Sequence, residues 1–259
     1  MRAALHELSH AVFTWPQAVS GPSLFPVVTV THAGRRTPKV AKTNSVVKKV
    51  VMAVSGIIML LFLIAHMIGN LHVFQGATSF NDYSEWLRSF GEPALPPRTL
   101  LTAIEVVLVV SVVAHMWAAI ALWRQAKRAR PERYVRKKSA VQTYASRTMR
   151  WGGVIIGLFI VYHLLDLTFG AANPAGTDAT PYDRLVASFQ NPIATTVYVV
   201  ALILLGMHLR HGIWSVTQTL GLSNRRRERT VNAFAVAFAT LLIAGYLVVP
   251  AAVVFGLVD

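Results

Sequence analysis

The sequence contains no cysteine. That absence excludes disulfides, thiolate-held iron–sulfur clusters, cysteine-ligated zinc and covalent c-type haem attachment through this chain's own side chains. Charge is scarce too: 14% of the 259 residues are charged, against about 25% in a typical soluble domain. Acids are scarcer still, 11 against 25 Lys and Arg, which leaves a formal charge of +14. In a soluble protein that excess points to nucleic acid. Here the basic residues flank apolar runs and read as topology signals instead, so no nucleic-acid partner is expected. No glycine motif for a flavin and no low-complexity segment is present, and any internal repeat is weak. Residues 1–45 are read as an N-terminal cytoplasmic tail. Pro16, Pro22 and Pro26 interrupt any continuous apolar helix there, and no signal-peptide pattern is visible. Residues 46–259 form the expected functional domain.

What the sequence has in excess is apolar length: 54% of residues are hydrophobic, and mean hydropathy is +0.50. About 20 helical residues cross a hydrocarbon core about 30 Å thick. Five such runs are present, at Val47–Phe74, Thr99–Trp123, Trp151–Phe169, Pro192–Thr217 and Val231–Val254. The fold class is therefore all-α, a polytopic membrane protein of five transmembrane helices. The second-to-third connection carries Arg124, Lys127, Arg128, Arg130, Arg133, Arg136, Lys137, Lys138, Arg147 and Arg150, and the fourth-to-fifth carries Arg225, Arg226, Arg227 and Arg229. The other two connections hold Asp82, Glu85, Glu92, Asp178 and Asp183. The positive-inside rule puts the basic side in the cytoplasm, with the N-terminus inside and the C-terminus outside the plasma membrane. Pro93, Pro96, Pro97, Pro174 and Pro181 read as loop punctuation. Asn81–Phe90 reads as a short interfacial helix, with Tyr83, Trp86, Leu87 and Phe90 on one face.

Ionisable residues within a span are costly and tend to be functional. His66, His115, His163 and His208 lie in four different spans. At 1.5 Å per residue, His66 is about 24 Å and His163 about 18 Å from the inner end of its span, while His115 and His208 are both about 12 Å in. They thus form two pairs by depth. Two imidazoles at one height on facing helices can hold a haem between them, so two pairs would stack two b haems around which the helices bundle. Such six-coordinate iron has no open position for oxygen chemistry, which leaves electron transfer. Gly56, Gly69, Gly152, Gly153, Gly157, Gly206 and Gly212 either admit such a planar group or let helices approach closely. His211, on nearly the same face as His208, and Arg147, Arg150 and Arg210 are candidates for propionate contacts. An interfacial histidine and snorkelling arginines are the plainer readings. His72 lies near a membrane face, and His6, His10 and His32 lie in the tail.

Glu105, in the outer part of the second span, and Asp166, three residues after His163, are unusually deep acids. Reducing a quinone takes up two protons, so both are candidates for quinone protonation on the outer side. The competing reading for each is a buried hydrogen bond.

These residues resemble a family. Leu63–His66, Ala114–His115, Val161–His163 with Asp166, and above all Met207-His208-Leu209-Arg210-His211-Gly212-Ile213-Trp214-Ser215 are similar to the five-helix dihaem cytochrome b558 subunit of succinate:menaquinone reductases and fumarate reductases, as is Arg147. The resemblance covers roughly Lys48–Phe255. It implies that His115 and His208 hold the inner haem iron and His66 and His163 the outer. It also implies a flavoprotein that oxidises succinate in the tricarboxylic acid cycle and an iron–sulfur subunit, both docked on the cytoplasmic face. Electrons would pass through the two haems to a quinone, in family terms menaquinone, and a higher oligomer is possible. The chain departs from some members in having Gly206 where they carry a glutamate, and it has no counterpart of a glutamate used by some fumarate reductases. Both departures favour succinate oxidation.

Two other readings stay open at the level of sequence. One is the haem anchor of a hydrogenase, formate dehydrogenase or ferric-reductase-like system. The other is a cofactor-free ion or proton transporter using Glu105, Asp166 and the histidines as its path, or a passive structural anchor.

Overall fold

The architecture was obtained as a computed structural model that describes residues 42–129, 140–221, 224 and 226–259, the side chains of 42–44 and 140–148 excepted. The N-terminal tail, the side chain of Arg147 and much of the basic second-to-third connection lie outside the described residues.

Long apolar runs without internal breakers become long helices. The described residues hold seven α-helices: α1 (Lys42–Asn70), α2 (Ala77–Ser89), α3 (Thr99–Arg128), α4 (Ala140–His163), α5 (Pro181–Gln190), α6 (Pro192–Thr219) and α7 (Glu228–Val254). Five segments are long and apolar enough to cross a membrane: Ser45–Gln75, Thr99–Arg128, Met149–Thr168, Pro192–Thr219 and Glu228–Val254. Each contains or closely overlaps one expected span. The protein is an all-α, multi-pass membrane protein, and no strand occurs among the described residues.

The helix starts are written in local chemistry. Asn191 caps α6, its Oδ1 accepting from the amides of Ile193 (2.9 Å) and Ala194 (3.4 Å), with Pro192 as the first helical residue. Thr180 does the same for α5, accepting from the Asp183 amide at 3.2 Å and donating to Asp183 Oδ2 at 2.7 Å. A proline in the first turn costs nothing, because its missing N–H has no helical partner there. Pro181 is therefore the first residue of α5, which corrects its reading as loop punctuation. The expected interfacial helix exists but begins earlier, at Ala77.

α1 packs on α3, and also touches α6 and α7; α6 packs on both α7 and α4. Small residues permit two of the close approaches. A Cβ on Gly206 would stand 3.0 Å from Ile243 of α7, and one on Gly245 would stand 2.8 Å from Met67 of α1. Gly206 therefore serves helix packing, the plainer of its two expected roles.

The end of the bundle bearing the acidic connections is the better buried one. There α5 lies over the helix ends and buries Tyr182, Leu185, Val186 and Phe189 against Val73, Phe80, Tyr198, Val249 and Val253. Burying each such side chain contributes roughly 1.5–3 kcal/mol relative to exposure in water. This cap is a firm frame for the polar groups beneath it.

Candidate cofactor-binding site

Four helices deliver the four deep histidines in two pairs. The rings of His66 (α1) and His163 (α4) have centres 5.8 Å apart, with planes at 84°. Those of His115 (α3) and His208 (α6) are 6.1 Å apart at 61°.

Edge-to-face aromatic contacts have similar spacing, so the surroundings of each ring decide what the pairs can do. Among the described residues, α1 and α4 do not pack as neighbours, and neither do α3 and α6. In each pair the imidazoles thus meet between helices that are not principal packing neighbours. Two of the four rings are also seated through Nδ1. His115 Nδ1 lies 3.0 Å from the carbonyl oxygen of Met52 and 3.3 Å from Ser55 Oγ. The Met52 carbonyl can only accept, so His115 Nδ1 carries the proton and Nε2 keeps a lone pair able to bind a metal. His163 Nδ1 lies 3.3 Å from the Tyr198 hydroxyl. His208 Nδ1 is buried without a partner.

The glycines near the pairs divide by what they face. A Cβ at Gly56 would meet His115 Cε1 at 3.4 Å, and one at Gly153 would meet His208 Cε1 at 3.8 Å. Gly157 faces Met116, Gly69 faces Tyr83, and Gly152 and Gly212 face nothing within 4 Å. At Gly56 and Gly153 the backbone itself, with no side chain, faces the rings of the His115–His208 pair. No cluster of three or more metal-ligating side chains exists among the described residues. A pair of histidines is compatible with that, because a tetrapyrrole would supply four donors of its own. The residues present therefore fit iron tetrapyrroles held by His66 with His163 and by His115 with His208.

The two acids part company. Asp166 is almost fully buried, at 1% exposure, inside a π-helical turn over Leu164–Thr168 that follows His163 directly. Such widened turns occur frequently at functional sites. Its carboxylate accepts from Ser188 Oγ (2.6 Å), the Tyr198 hydroxyl (2.9 Å) and Asn173 Nδ2 (2.8 Å). Asn173 also donates to the Arg184 carbonyl at 2.9 Å, and Arg184 Nη1 donates to Thr168 O at 2.7 Å. Glu105 instead lies on the exposed side of α3, 3.9 Å from Arg98. The two acids do not share a site.

At the opposite end, His211 stands 5.6 Å from Trp214, ring to ring, on α6. Arg210 donates to Asn232 at 3.4 Å, and the Arg150 guanidinium lies 5.9 Å from the Trp123 ring centre. His72 is stacked on Tyr83 at 4.4 Å with Nδ1 buried and unpartnered.

Sequence reasoning missed Tyr198, Ser188, Asn173 and Ser55. One signal was available: Tyr198 lies seven residues into α6 from the acidic end, roughly 10 Å, close to the depth of His163. Asn173 and Ser188 come from a loop and a short helix whose return path no local pattern announces, and Ser55 from the turn of α1 that faces His115.

Residues 124–247 match the family model described as succinate dehydrogenase/fumarate reductase transmembrane subunit. The matched stretch takes in His163, Asp166, Tyr198 and His208, while His66, Glu105 and His115 precede it. No curated protein and no solved structure matches the chain.

Proposed function

We propose that this chain, whose residues 124–247 match the succinate dehydrogenase/fumarate reductase transmembrane subunit family, is a member of that family and the dihaem cytochrome b anchor of such a complex. It conducts electrons between an iron–sulfur subunit at its basic, cytoplasmic end and a quinone, menaquinone by resemblance, at its acidic, outer end. The observation that carries this reading is the pairing of four deep histidines at two levels, with ring centres 5.8 and 6.1 Å apart.

A bis-imidazole iron tetrapyrrole supplies one-electron transfer without an open coordination position. The chain's own residues do the rest. Met52 O and Ser55 Oγ hold the His115 ring so that Nε2 is its metal-binding nitrogen. Gly56 and Gly153 keep side-chain bulk away from the inner pair. α5 and its apolar contacts close the bundle over the outer pair and limit water there. Basic residues around Arg150, Arg210 and His211 supply donors and positive charge at the inner end, where propionates and an acidic partner surface would be met. Glu105, beside Arg98 near the outer end of α3, is the acid we assign to proton uptake by a quinone. Asp166 is enclosed by donors and suits a structural hydrogen-bonding role better. Succinate chemistry itself belongs to a flavoprotein partner, because this chain has no flavin motif and no cluster cysteines.

The test is a dithionite-reduced minus oxidised visible spectrum of the purified complex, with haem counted per copy of this chain. Two b-type haems per chain, reducible by succinate, are expected. An intact preparation without haem overturns the electron-wire reading and leaves a cofactor-free transporter or passive anchor.

A further inference from the structure

Tyr198 donates its only hydroxyl hydrogen to Asp166 Oδ2 at 2.9 Å. Its oxygen can then only accept from His163 Nδ1, 3.3 Å away. That arrangement requires the proton of the His163 imidazole to sit on Nδ1 and leaves the Nε2 lone pair free. Asp166 is fixed in turn by Ser188 and Asn173, all within the cap formed by α5. Tyr198 itself is 4% exposed, with its ring set edge-on against Phe159 and Phe189, both at 5.0 Å. The inner pair has a different partner, because His115 Nδ1 meets a neutral backbone carbonyl with no carboxylate behind it.

From this contrast we infer that Tyr198 and Asp166 are positioning residues for the outer haem. They orient His163, make its imidazole a stronger donor to iron, and hold the potential of that haem below the value it would have without them. A hydrogen bond from a ligand imidazole to a carboxylate-backed acceptor raises ligand basicity. Greater basicity stabilises the more highly charged oxidised metal. The outer haem is therefore tuned by this polar cluster and the inner haem is not. The inference rests on the dihaem reading proposed above.

The experiment is a redox titration of the visible spectrum of the intact complex, wild type against Tyr198→Phe. The outer component is identified as the one missing from His66→Ala. The phenylalanine keeps the ring packing and removes the hydroxyl. Its outer component is expected to be easier to reduce by about tenfold in the equilibrium constant, a rise of ~59 mV for one electron, with the inner component unmoved. Ser188→Ala provides a variant of opposite sign, and it serves alone if Tyr198→Phe does not assemble. Removing the serine's 2.6 Å bond to Asp166 strengthens the pull of the carboxylate on Tyr198, so the outer component becomes harder to reduce. A merely structural role would not shift one haem in opposite directions in the two variants. Unchanged potentials, or equal shifts of both components, overturn the inference while the dihaem reading stands. A wild type with no haem overturns both together.

Discussion

The imidazoles of His66 and His163 meet edge to face, with centres 5.8 Å apart, although they are borne by α1 and α4, helices that do not pack as neighbours. The same holds for His115 and His208 on α3 and α6. Each pair is thus the meeting of two side chains from helices whose main packing partners lie elsewhere.

This pairing makes the histidine substitutions predictive. His115→Ala and His208→Ala are expected to lose the same spectral component, and His66→Ala and His163→Ala the other. Reduced-minus-oxidised spectra of the four purified variants decide it. Loss of one and the same component from His66→Ala and His115→Ala would contradict the geometry.

Gly56 offers a graded probe of the inner pair. A Cβ there stands 3.4 Å from His115 Cε1, which is ordinary contact, so Gly56→Ala should keep both haem components. Gly56→Leu drives a branched side chain into the ring and should lose the inner component alone. Haem content per chain, measured by the pyridine haemochrome spectrum, is the readout.

Asn173 ties the loop before α5 to Asp166 and to the Arg184 carbonyl, at 2.8 and 2.9 Å. Asn173→Ala leaves buried acceptors short of a donor, at a cost of about 1–3 kcal/mol. The variant should unfold at lower temperature in detergent when followed by circular dichroism. A transition temperature equal to that of the wild type would show that the cap does not depend on this cluster.

Orientation can be read cleanly because the chain has no native thiol. Asp178→Cys, in the acidic α4–α5 connection, should react with a membrane-impermeant maleimide added to intact cells. Lys127→Cys, at the basic end of α3, should react only after permeabilisation. The reverse pattern would invert the topology argued from Lys and Arg placement.

Much of this was legible before any coordinates. Helix length and hydropathy fixed five spans, and each lies where an apolar run predicts it because a bilayer demands about 20 apolar residues per crossing. Depth was equally legible, since rise per residue converts position in a span directly into height. It put His66 with His163 and His115 with His208, the same partners the structure brings together. The α5 helix was missed because ten residues beginning at Pro181 look like loop. The Thr180–Pro181–Asp183 pattern is nonetheless a helix start in its own right.

Depth in the bilayer, then, was set by sequence alone: which residues cross, how far in each histidine sits, and which end is basic. What only the tertiary structure decided is the direction in which each residue faces. In a soluble helix the polar face reveals the buried one. In these spans lipid-facing and protein-facing residues are both apolar, so the sequence carries little rotational signal. Hence only the structure shows that Glu105 points to the exposed side of α3 beside Arg98, and that Gly206 faces Ile243. Asp166 acquires Tyr198, Ser188 and Asn173 from three later parts of the chain, a convergence that exists only once the loops have returned over the end of the bundle.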